Sequence, residues 1–243
     1  MMEEFQQNLN NLQGVFTKFT QNLAKILEDI NFEVPNIGEL IRISFEQLPE
    51  SLKELNKHGW FMTLEMSPVE IHTVSSYSVN GNLDKVDDFF VNHISELNSS
   101  IEKELYKNFP LRMKILKEGF QAHRKGNFHS SILIFLSQSD GICRDITGFK
   151  LYNQKKGKPI IKKYLEELDH DSFAYKILQQ IAEPGLINSS ERDLSNYNGS
   201  LNRHEIMHGI STNFGNVTNS LKAISLLNYV GRILWTCIKD DEK

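Results

Sequence analysis

Between Ser200 and Asn216 the chain reads SLNRHEIMHGISTNFGN, and four side chains in it have the types and spacing for chemistry: Arg203, His204, Glu205 and His208. Two chemistries compete for them. HEIMH fits the zinc-hydrolase pattern H-E-x-x-H, in which two histidines hold the metal and the glutamate activates a bound water. The overlapping RHEIMH offers cleavage of RNA without a metal. That reaction needs a base near the 2′-hydroxyl, an acid near the leaving 5′-oxygen and a cation for the charge that builds on phosphorus. Histidine suits the first two roles because its pKa lies near neutrality. Arginine suits the third, since its planar fork matches two phosphate oxygens.

The zinc chemistry lacks a ligand. His204 and His208 lie four apart, on one face of a helix, but a third protein ligand is required. Between Gly209 and Lys239 there is no His, Asp or Glu, and the later acids are confined to the terminal DDEK. Gly209 also weakens the helix that would hold the pair. The metal-free chemistry is therefore favoured, with no metal and no cofactor expected.

At 100° per residue, Arg203 and His208 stand about 140° apart around an ideal helix, so they flank a groove rather than share a face. One helix falls short of a full site. Two copies meeting on a twofold axis would gather two arginines and four histidines around one cleft, which favours a homodimer.

The elements that must position this motif are predicted to be helical throughout, an all-α fold. Phe5, Leu9, Leu12, Phe16, Phe19, Leu23, Ile26, Leu27 and Ile30 make one stripe on a long first helix, stopped by Pro35. Helical runs follow at 36–47 and 49–57. HGWFMTLEMSPVEIHTVSSYSVNG is the least helical stretch, with part of it expected to be extended. A stripe from Val86 to Leu105 ends near Asn108-Phe109-Pro110, and a further run covers 111–125. NFHSSILIFLSQSDGICRDITG reads as a central apolar helix capped by Asn127. A basic loop, FKLYNQKKGKP, precedes two short helices at 160–168 and 172–181. AEPGLINSSERDLSNYNGS is a polar connector, and the last helix begins near Val217. The break at Phe109-Pro110 divides a helical N-terminal region of unknown role (1–109) from a helical bundle (110–243).

The 243 residues are 40% hydrophobic and 24% charged, with a net charge of -4. These are ordinary values for a globular protein, and they exclude a chain that is polybasic throughout. Contacts to RNA must come from local groups. Lys155, Lys156 and Lys158 of KKGKPIIKK are candidates to grip phosphates, with an ordinary solvated loop as the alternative. Asn219 and Lys222 of the last helix are candidates to line the cleft, and a polar helix face is the alternative. Asp140 is expected to satisfy a donor in the core, and Trp60, Trp235 and the phenylalanines to be core. Two cysteines suit a reducing compartment. MMEEFQQNLNN is too acidic and polar for a signal peptide. The apolar stretch from Ile224 is interrupted by Asn228 and Arg232 and falls short of the roughly 20 residues a membrane helix needs. A cytoplasmic protein with no membrane contact is expected.

NRHEIMHG…NFGNVTNSLKAISLLNYV resembles the C-terminal end of HEPN-domain proteins (higher eukaryotes and prokaryotes nucleotide-binding). Their mark is an arginine, four to six residues and a histidine, with a polar residue beside the arginine and a Leu-rich final helix behind. The upstream block EGFQAHRKGNFHSSILIFLSQSDGI is similar to an earlier helix pair of bacterial members. Together the two blocks span 111–238. The resemblance implies an all-α bundle, a homodimer and a metal-independent endoribonuclease with 2′,3′-cyclic phosphate products. It implies a place in anti-phage defence, a toxin–antitoxin system or RNA processing, with an antitoxin or defence protein as partner. Arg203, His204 and His208 carry over as catalytic and Asn202 as an adjacent polar position. Two alternatives stay open: a catalytically inactive HEPN-like interaction or nucleotide-binding module, and a zinc hydrolase using HEIMH.

Overall fold

A computed structural model describes residues 37–155, 158–159, 161–166, 170, 172–189, 196–197 and 199–239. The long first helix expected over Phe5–Ile30 lies outside them. The fold is all-α. Its helices are α1 (Ile37–Glu46), α2 (Leu48–Lys57), α3 (Pro68–Val79), α4 (Leu83–Asn108), α5 (Met113–Arg124) and α6 (Phe128–Thr147). They continue as α7 (Ile161–Leu165), α8 (Phe173–Ala182), α9 (Arg203–Met207), α10 (Val217–Asn228) and α11 (Trp235–Lys239). The sole extended pairing among the described residues is a hairpin of two-residue strands, β1 (Gln154–Lys155) and β2 (Lys158–Pro159), within the expected basic loop.

The two stripes read from sequence build the core. On α4, Val86, Phe90, Ile94, Ile101 and Leu105 are buried at helical spacing. On α10, every residue from Asn219 to Asn228 is buried. α10 packs against both α4 and α6, and α6 against α5. Gly119 permits the last approach, because a Cβ there would lie 2.7 Å from the Phe135 ring. α10 runs on through a π-helical segment, Tyr229–Leu234, in which Arg232 is buried. Arg232 donates to Glu65 at 2.8 Å and pairs with Glu104, so this interior cation is neutralised. Trp60 is fully buried, stacked on Phe90 with its indole N–H donating to Asp87. α4 ends just before Pro110, and buried residues from both sides of that break share the core.

Part of 58–81 is helical, not extended. Ser67 caps α3 by accepting from the Glu70 N–H, while the Glu70 side chain accepts from the Ser67 N–H, and Pro68 supplies the first turn. Ile71, Val74, Ser75 and Ser78 then face inward. Asn127 precedes α6 as expected, but its side chain makes no cap hydrogen bond. Of the stretch 160–168 expected to be helical, the described residues form α7 followed by a turn at Glu166.

Candidate active site

The motif forms α9, barely more than one turn, and so short a helix has little stability of its own. Its support comes from Asn202, which is fully buried at the N-cap. The Asn202 Oδ1 accepts from the N–H groups of His204 (2.9 Å) and Glu205 (3.2 Å). The Asn202 Nδ2 donates to Leu186 O, Ser189 O and Ser189 Oγ, at 3.0 to 3.2 Å. The Arg203 N–H donates to Ile187 O at 3.0 Å. Residues 186–189 of the connector are thus the base on which α9 stands, with Leu186 and Ile187 buried beneath.

His208 closes the helix by donating its N–H to His204 O. Gly209, at φ 71, takes the left-handed turn that lets the N–H groups of Ile210 and Ser211 reach Glu205 O. Along the outer side, Arg203, His204 and Glu205 are half-buried, and Met207 and His208 are exposed. The rings of His204 and His208 lie with centroids 4.5 Å apart, tilted by 53°. The Arg203 guanidinium carbon sits 5.0 Å from the centroid of the Tyr152 ring. Tyr152 is anchored on α6: its hydroxyl donates to Leu136 O and its N–H to Asp140 Oδ1, at 3.4 Å, the interior acceptor role expected of Asp140. Burial, then the neighbouring Asp140, pushes the Tyr152 hydroxyl well above its ordinary pKa, so it stays protonated.

Beyond the motif, the loop 209–216 is strapped down. His129, at the start of α6, meets Phe214 edge-on at 4.8 Å and lies 3.3 Å from Thr212 O. Its ring occupies the space that a Cβ on residue 215 would need, so a side chain there would push the His129 ring aside. The buried Asn219 side chain donates both to Ser200 Oγ (3.0 Å) and to Phe214 O (2.9 Å), tying the two ends of the motif segment together. Asn216 caps α10 by accepting from the Asn219 N–H.

The other sequence candidates are placed as follows. Lys222 is buried, 3.1 Å from Asp87 and 5.2 Å over the Trp60 ring. Burial lowers its pKa, and Asp87 opposes that shift. Lys155 and Lys158 are directly paired in the hairpin, which begins two residues past Tyr152. Lys156 lies outside the described residues. The fold therefore gathers Arg203 and His204 on α9 and His208 at its C-terminal end, sets Asn202 beneath them and Asn219 at their flank, and commits Lys222 to Asp87. No local pattern in the sequence marks Tyr152 or His129. Both act on the motif from far along the chain.

Among the described residues, no three His, Cys, Asp or Glu side chains group as a metal site. No described helix is long and apolar enough to cross a membrane. No protein-family model, curated protein or solved structure matches this chain.

Proposed function

We propose that the protein is a metal-independent endoribonuclease of HEPN type, with Arg203, His204 and His208 at the scissile phosphate. The observation that carries this reading is the pairing of two imidazoles 4.5 Å apart beside an arginine, all on one partly exposed turn. Neutral and protonated imidazole together are the base and acid that transesterification of RNA requires. In the reaction, the 2′-oxygen attacks the adjacent phosphorus and gives its proton to one imidazole. The P–O5′ bond breaks, and the 5′-oxygen takes a proton from another. Arg203 balances the charge on the phosphoryl oxygens meanwhile.

The functional unit is a homodimer. Met207 beside His208 is 41% exposed, Ile210 just beyond it 58%, and Val217 at the start of α10 46%. Apolar side chains this exposed around a polar site suit an interface with a second copy, which would bring a second Arg203–His208 set to the same cleft. Lys155, Lys156 and Lys158 serve in this reading as phosphate contacts. A cytoplasmic role in defence or toxin–antitoxin control, with a partner protein restraining the nuclease, follows from the same reading.

The test is the chemistry of the cut ends together with the oligomeric state. The purified protein should be a dimer by light scattering at micromolar concentration. It should leave 2′,3′-cyclic phosphate and 5′-hydroxyl ends, and spare DNA and RNA carrying 2′-O-methyl at the cut site. Cutting of 2′-O-methyl RNA at the same position rules out the mechanism, and full activity as a monomer rules out the composite site.

A further inference from the structure

We infer that the Tyr152 ring is the seat of the Arg203 guanidinium, a positioning residue that fixes where this cation meets the phosphate. The consequence for cleavage rests on the ribonuclease reading; the contact itself does not.

Arg112, Arg124 and Arg232 each pair with a carboxylate. Arg203 instead lies over an aromatic face, 5.0 Å from the ring centroid. The difference matters for a residue that must bind phosphate. A carboxylate partner occupies the N–H edge of the guanidinium, the same edge that grips phosphate oxygens. An aromatic ring takes up only the flat face and leaves the edge to a ligand.

Arg203 is the first residue of a one-turn helix, so its long side chain has little helix around it to restrict its rotamers. Tyr152 supplies that restriction from outside. Its ring cannot swing away, because the hydroxyl is tied to Leu136 O, the backbone N–H to Asp140 Oδ1, and the preceding Leu151 is buried. Both ties run to α6, the helix that α9 contacts. The seat is thus built on the bundle and not on the motif loop. Because β1 starts two residues beyond Tyr152, the backbone hairpin of β1 and β2 leaves from the same anchor. A residue that aims a transition-state cation should control kcat with little effect on KM.

The experiment is chemical rescue, with a direct view of the arginine alongside. Free guanidinium at sub-denaturing concentration should partly restore cleavage by Arg203→Ala and by Arg203→Ala/Tyr152→Phe, and fail to restore Arg203→Ala/Tyr152→Leu. In the Arg203 background, Tyr152→Leu should lower kcat by roughly 10- to 100-fold with KM nearly unchanged, the scale of loss expected when a catalytic group is displaced by about 1 Å. Tyr152→Phe keeps the ring and gives up only the tie to Leu136 O, so it should lose less of kcat than Tyr152→Leu. The Arg203 Nε–H resonance, assigned through Arg203→Lys, should show an upfield ring-current shift that survives Tyr152→Phe and vanishes in Tyr152→Leu. Tyr152→Met, also without an aromatic face, replaces the leucine variant if the latter does not fold. Rescue and kcat unaffected by losing the ring, or an Nε–H resonance that does not move, overturn the proposal. A parent protein that never cleaves RNA removes the ribonuclease reading, and the resonance then decides the seat by itself.

Discussion

Removing the Asn202 side chain should loosen the motif from the bundle, and the structure sets the size of the effect. In Asn202→Ala, the N–H groups of His204 and Glu205 lose their acceptor. Loss of an N-cap typically costs about 1 kcal/mol. The amide also supplies a donor to Leu186 O, Ser189 O and Ser189 Oγ, all at a fully buried position. Stranding buried acceptors costs about 1–3 kcal/mol. The two contributions together amount to about 3 kcal/mol, which in a chain of this size lowers Tm by roughly 6–12 °C. Asn202→Ser keeps a cap acceptor without the buried donor, so it should recover about 1 kcal/mol of the loss. Urea denaturation of the three proteins, followed by far-UV circular dichroism, measures both steps. A loss below about 0.5 kcal/mol in Asn202→Ala, the range of an ordinary surface change, would refute the anchoring role assigned to Asn202.

Acidification should destabilise the fold. His58, His93 and His123 are held below their ordinary value of 6.5, in each case chiefly by burial. The unfolded chain therefore takes up protons first as pH falls below 6.5, and the native state loses stability. Glu54 and Glu65 are depressed below 4.5, because Lys57 with Ser78, and Arg232, outweigh the opposing effect of burial. A further loss should follow as pH drops through that range. The urea midpoint should hold above about pH 7 and fall steadily beneath it; a midpoint that rises between pH 7 and 5.5 would contradict the assignment. Ile224→Ala, at a fully buried position on α10, should cost about 2–5 kcal/mol, and a melt within 2 °C of wild type would show that α10 is not the core. Gly215→Ala should displace His129 from the loop after His208, lowering cleavage more than stability; unchanged cleavage would show that this strap does not position His208.

Periodicity carried much of this fold. α4 and α10 were readable because their apolar residues repeat at helical spacing and are in fact buried. α3 was not, because VEIHTVSSYSV alternates small, polar and β-branched residues without a clear stripe. Its readable signal is the Ser67-Pro68-x-Glu70 capping box, which lies outside any apolar periodicity. At the site, the motif itself is local and so legible, whereas its supports are not. Nothing near Tyr152 in sequence points to Arg203, and nothing near His129 points to Gly215; both contacts exist only once α6 and the motif are packed together. Polarity on a helix is likewise ambiguous from sequence. Asn219 and Lys222 look like cleft residues on a polar face, yet both lie on a fully buried stretch where they serve Ser200, Phe214 and Asp87.

The central claim is that Arg203 and His208 cleave RNA without a metal, and it meets its most direct test in one assay. Single-stranded RNA is incubated in EDTA with wild type, Arg203→Ala, His208→Ala and Glu205→Gln, each confirmed folded by thermal melt. Wild type and Glu205→Gln should cleave, while the arginine and histidine variants should fall by about 10²–10⁴-fold. An inactive Glu205→Gln together with a fully active Arg203→Ala, or cleavage that EDTA abolishes, would contradict the account and return HEIMH to the metal reading.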